Sequence, residues 1–173
     1  MDLKILCFLL PVLFMIHDFE EIIFFKKWIK SNKPHLTRRF PNLALKLLPH
    51  LENLSTAAFC LAVAEEFILV SAVSLHAAYS ENYLIWYGAF IGFSVHLLIH
   101  IIQWVIYRRY IPCIVTSVLI LPYSIYTFNK INQWGIFNRH EQLTSGIIGL
   151  IIVIVNLVLI HKFIIYFDKW LKK

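Results

Sequence analysis

The stretch MIHDFEEIIFF, residues 15–25, sets one histidine and three carboxylates in a run that is otherwise apolar from Ile5 onward. A helix advances about 100° per residue, so His17, Glu20 and Glu21 share an arc of about 100°, with Asp18 flanking it and Phe19 pointing away. A second set follows at FSVHLLIHIIQWVIY, where Gly92, His96, His100, Gln103 and Tyr107 recur at helical spacing and form one narrow polar stripe. A spacing of four between histidines places two imidazoles on adjacent turns, within reach of one cation. A third set is the pair Glu65 and Glu66 in AEEFILV. The two point about 100° apart, so one of them faces a bundle interior. Glu66 is favoured, because it shares a face with Ser55, Ala58 and Ala62, small residues that permit close helix approach.

Imidazole mixed with carboxylate suits zinc, iron or manganese and is poor for copper(I). The candidate ligands are His17, Glu21, Glu66, His96 and His100, with Glu20 as the candidate general base. A metal-bound water beside a free glutamate gives hydrolysis, and an open iron site gives oxidation. Two other chemistries use the same residue types: an ion-paired polar core without catalysis, and a proton- or ion-coupled transporter. Cys7, Cys60 and Cys113 are odd in number and widely spaced, and form neither a disulfide framework nor a zinc motif.

The elements that position these residues read as membrane helices. Of 173 residues, 60% are apolar and only 15% charged, with a mean hydropathy of +0.71, which is unlike a soluble domain. Apolar blocks near the roughly 20 residues a span needs fall at about 3–25, 55–79, 83–106, 111–129 and 145–167. They are continuous rather than alternating, so strands are excluded. The prediction is an all-α integral membrane bundle of five transmembrane helices, one domain over 1–173. A basic cytoplasmic loop at 26–54 is broken into short pieces by Pro34, Pro41 and Pro49. Its NLALKLLPHL segment carries an apolar face suited to the headgroup level. The first block has no small-residue cleavage site and is read as a retained helix rather than a signal peptide.

All but three of the sixteen Lys and Arg residues fall in the 26–54 connection, the 108–109 turn or the C-terminal end. The excess of basic residues marks the cytoplasmic side, giving N-terminus out and C-terminus in. The net charge of +6 is thus a topology signal and an attraction to anionic lipid. No nucleic-acid partner is expected, since no recognition fold accompanies the charge. The partners are membrane lipids and a lipidic or amphipathic substrate. Run in alternating directions, the first three spans bring their polar sets to overlapping depths. A carboxylate at a helix centre costs roughly 2.5–3.5 kcal/mol, so four left uncompensated would cost on the order of 10 kcal/mol. A bound cation, pairing or a wet cavity must offset that.

His17-Asp18-Phe19-Glu20-Glu21 resembles the signature of the HXXEE family, small multi-pass membrane proteins found mostly in bacteria. The resemblance covers about residues 10–130 and continues through HLLIHIIQWVIYRRYIPCIVT and Pro122. It implies a cell-membrane location and functional positions at His17, Glu20, Glu21 and His100, extending to Arg109, Tyr110 and Pro112. His96 stands where the family pattern has asparagine, and Cys113 where it has glycine. The resemblance implies membership and carries no activity with it.

Overall fold

The computed structural model describes residues 2–172; Lys173, counted above among the basic C-terminal residues, lies outside them. Six helices account for nearly all of the described chain: α1 (Leu3–Arg39), α2 (Pro41–Asn53), α3 (Thr56–Ser80), α4 (Leu84–Tyr107), α5 (Ile114–Trp134) and α6 (Arg139–Leu171). The all-α expectation holds.

Four of these helices, α3 to α6, are long and apolar enough to cross a membrane, not five. The exception is α1, and its charges are the reason. Every 18-residue stretch of α1 contains at least three charged side chains, drawn from Lys4, Asp18, Glu20, Glu21 and the basic residues beyond Phe25. Its sides nonetheless differ sharply. Ile5, Phe8, Val12, Ile16, Phe19 and Ile23 form an exposed apolar stripe, while Leu6, Leu10, Phe14, His17, Asp18 and Glu20 are buried.

The expected loop at 26–54 is helical instead. α1 continues without a break to Arg39, a length of 37 residues or about 55 Å. Pro34 and Pro49 lie inside α1 and α2, and only Pro41, at the start of α2, marks a boundary. A proline interior to a helix frees one carbonyl four residues back. For Pro49 that carbonyl belongs to Leu45, an exposed residue, where solvent or headgroups can satisfy it. The connection between α5 and α6 is short, since α5 runs to Trp134 and α6 begins at Arg139 with a capping box of Asn138 and Glu141.

Neighbouring helices are tied at both ends. Lys4 pairs with Glu81 at 2.7 Å, joining the start of α1 to the end of α3, and the Tyr123 hydroxyl donates to the Leu6 carbonyl at 2.8 Å. At the opposite end the Ser55 backbone N–H donates to Asp168 at 3.2 Å, and Lys172 pairs with Asp168. Arg39 donates to the carbonyls of Tyr107 and Ile106 at 2.9 and 2.8 Å, satisfying the open C-terminal end of α4. Trp28 donates to the Tyr110 carbonyl at 2.7 Å. The extension of α1 therefore clasps the turn between α4 and α5.

α4 is the central element. Gly88 and Gly92, a G-x-x-x-G pair, meet Ser145, Gly149 and Val153 of α6, so that a Cβ on Gly88 would stand 3.0 Å from the Ser145 carbonyl oxygen. Ser145 donates to the Leu84 carbonyl, and Asn156 donates to Glu65 at 3.1 Å. Small residues and interhelical hydrogen bonds thus dock α6 on α4 and α3. The main core joins Leu6, Leu10 and Phe14 of α1 to Trp86, Phe90 and Phe93 of α4. It lies on one side of the polar sets.

Candidate functional site

α1 and α4 present His17, His96 and His100 to one another. Ring centroids are 5.1 Å apart for His17 and His96, 5.2 Å for His17 and His100, and 4.5 Å for His96 and His100. The spacing of four residues on α4 brings the Nε2 atoms of His96 and His100 to 3.1 Å. Two nitrogens on one tetrahedral zinc stand about 3.3 Å apart at bond lengths near 2 Å. On the side of the main core the cluster is closed by Phe93, whose ring lies 5.9 Å from that of His17, and by Phe14.

Three sets of donor atoms lie within 4.8 Å of one another: Glu21, His96 and His100; His17, Asp18 and His96; His17, His100 and Cys113. All are assembled by α1, α4 and the first residue before α5. Of the predicted ligands, Glu21, His96 and His100 form one set, and His17 shares the other two sets with His96 and with His100. Glu66 is not among these donor sets. Glu65 turns to α6 and Asn156. Asp18 pairs with neither Lys26 nor Arg108; Lys26 instead donates to the carbonyls of Leu51 and Glu52, and Asp18 Oδ2 is buried without a hydrogen-bond partner.

Glu20 does something the spacing did not disclose. One oxygen accepts from the Tyr110 hydroxyl at 2.9 Å, and the other accepts from both the backbone N–H and the hydroxyl of Thr116, at 2.8 and 2.7 Å. Cys113, the residue preceding α5, supplies no side-chain cap, so a carboxylate from α1 caps α5 from outside its own chain segment.

The same bonds fix the state of His17. Thr116 has one hydroxyl proton, and it goes to Glu20. The Thr116 oxygen, 3.1 Å from His17 Nδ1, must then accept from an Nδ1–H. His17 is left as a neutral imidazole whose Nε2 lone pair is buried and without a partner. His100 Nδ1 is buried and unpartnered as well. A lone pair held free by a hydrogen bond at the other ring nitrogen is the arrangement that metal-binding histidines show.

An apolar cavity of about 400 Å³ runs between α1, α2 and the end of α4. Trp28, Phe40, Leu47 and Ile111 form part of its wall, and Glu21 and His100 are among its few polar groups. The donor cluster therefore opens onto a greasy chamber roofed by α2, which packs Ala44 and Leu48 against Ile29 of α1.

The residues that sequence reasoning missed are Thr116, Tyr110 in its bonding role, and Cys113. Their approach depends on the turn at 108–113, where Arg108 and Cys113 both adopt positive φ; helical periodicity contains no trace of it. A search of curated proteins and a search of solved structures each find no match to the chain. A family described as "Protein of unknown function with HXXEE motif" matches residues 8–127, from α1 into α5. That span contains the three histidines, Glu20, Glu21 and Thr116, and leaves out α6. The chain belongs to the HXXEE family.

Proposed function

We propose that the protein is a metal-dependent enzyme of the cell membrane, acting on a lipidic or amphipathic substrate. In this reading α1 joins α3 to α6 as a fifth span, with its N-terminus outside and the basic end of the bundle at the cytoplasm. Its apolar stripe faces acyl chains and its polar face turns inward. A divalent cation of the zinc, iron or manganese group is held among His17, Glu21, His96 and His100, with Asp18 as a further carboxylate in contact with the set. Such a cation supplies Lewis acidity or an activated water. Glu20 was the expected base. With three donors on its two oxygens it has little capacity left for a substrate proton, and its bonding supports a positioning role through Thr116 and His17.

One observation carries the reading: the apolar cavity ends on Glu21 and His100, two members of a donor set. A chamber with apolar walls and a few convergent polar groups is how amphipathic ligands are held. The ion-paired alternative is weakened by the salt bridges themselves. Among the described residues they join Lys4 to Glu81, Lys33 to Glu52 and Lys172 to Asp168, all at helix ends, and none joins these imidazoles to these carboxylates.

Elemental analysis of the full chain, purified in detergent without added metal, tests the proposal. About one zinc, iron or manganese per chain is expected, falling to background in His100→Ala. Metal-free wild-type protein that also fails to take up zinc on titration would overturn it.

A further inference from the structure

We propose that Cys113 is a metal ligand, its thiolate joining His17 and His100 on the cation. The inference rests on the metal reading above and goes beyond it, because no cysteine figures in the motif.

Three observations converge. First, a ligand atom from each of His17, His100 and Cys113 lies within 4.8 Å of the other two, and this is the donor set in which all three residues are buried. His17 and Cys113 are both 0% exposed. Second, the two imidazoles each have one nitrogen committed and one free. His17 Nδ1 is held by Thr116 and His100 Nε2 by His96, while His17 Nε2 and His100 Nδ1 are buried with no partner. Each imidazole therefore keeps one buried nitrogen open to a cation. In this arrangement His96 positions His100 as Thr116 positions His17, and the cation is held by His17, His100 and Cys113 in place of the Nε2 atoms of His96 and His100. Third, Cys113 has φ +72°, a left-handed conformation that favours glycine. A side chain is retained at a backbone position suited to having none, and it is a buried thiol with a ring nitrogen of each histidine within 4.8 Å. Strain of this kind gathers at functional sites.

Without a cation the thiol donates to the His17 carbonyl at 3.7 Å and stays protonated in its buried setting. Binding breaks the S–H bond as the metal–sulfur bond forms, and the proton leaves to the buffer. Two imidazoles and a thiolate select zinc over magnesium or manganese.

Cobalt(II), which occupies zinc sites and is coloured, reads this directly. Metal-stripped full-length protein in detergent is titrated with cobalt(II) and its absorption recorded. The expected spectrum has visible bands of low-symmetry cobalt and a near-ultraviolet band from thiolate-to-cobalt charge transfer. Cys113→Gly abolishes the charge-transfer band and keeps weaker visible bands from the remaining histidines. Its thermal midpoint is unchanged or higher, because glycine suits that φ. Cys7→Ala and Cys60→Ala leave the spectrum as it was. Visible bands without charge transfer in the wild type, or charge transfer that survives Cys113→Gly, would overturn the ligand assignment while leaving the metal reading intact. No cobalt absorption at all would overturn both. If the glycine variant fails to fold, the wild-type spectrum with the two alanine controls still decides.

Discussion

Thr116 takes part in both halves of the site, receiving the His17 N–H and giving its own proton to Glu20. This makes Glu20 a test of positioning against catalysis. Glu20→Ala removes both acceptor oxygens, so the Thr116 hydroxyl and N–H lose their acceptor and the tautomer of His17 loses its anchor. Loss of such an outer partner lowers metal affinity by about 10–100-fold. The lost bonds at the start of α5 cost about 1–3 kcal/mol. Zinc titration and thermal unfolding of the same sample should show both effects together; a variant with unchanged affinity and stability would leave Glu20 without this role. The convergence of His17, His96 and His100 was legible in the sequence, because 3.6-residue periodicity fixes faces and alternating spans fix depth. Thr116 and Cys113 were not, since their reach depends on the left-handed turn after α4. The cysteines, read by spacing alone, carried no motif.

At the scale of elements, α6 shows how packing and site separate. It docks on α4 and α3 through Gly88, Gly149 and Ser145, and through Asn156 to Glu65, yet it contributes nothing to the donor sets. A side chain at Gly149 would collide with the Gly88 backbone, whereas a Cβ at Gly146 meets only the Ile91 side chain, at 3.7 Å. Overpacking costs about 1–3 kcal/mol, so Gly149→Val should lower the unfolding midpoint markedly and Gly146→Ala should leave it within about 1 kcal/mol. Metal content per folded chain should be the same in both; a Gly149→Val protein as stable as wild type would contradict the packing. The small residues on α6 were readable as interhelical contacts because Ser145, Gly149 and Asn156 share a face. The helical state of residues 26–54 was not. Three prolines and many lysines read as breakers and linker, but a helix lying beyond the apolar layer can leave proline-freed carbonyls to water. α1 fails as a span by composition for a related reason: Asp18 and Glu20 are buried, and the partners of Glu20 lie on α5 and the turn before it, where no hydropathy window can see them.

For the whole molecule, charge decides how the bundle sits. Lys4 and Glu81 stand at one end, with Lys130 and Arg139 on the helices that end and begin there. The other end holds Lys26, Lys33, Arg39 and Lys172, which bond to one another's neighbourhoods at 51–55 and 106–107. Each Lys or Arg near an anionic leaflet contributes about 1 kcal/mol, and basic residues flanking short connections are retained at the cytoplasm. In the proposed orientation the chamber beside the donor cluster would open within reach of the inner leaflet, which would supply amphipathic molecules without passage through water. Single cysteines at Asp2, Ser31 and Asn82 report this arrangement, since all three positions are exposed. In intact cells an impermeant maleimide should label Asp2→Cys and Asn82→Cys at once and Ser31→Cys only after permeabilisation. Labelling of Asp2→Cys together with Ser31→Cys would show that α1 does not cross, and labelling of Ser31→Cys alone in intact cells would invert the bundle and turn the chamber to the outer face.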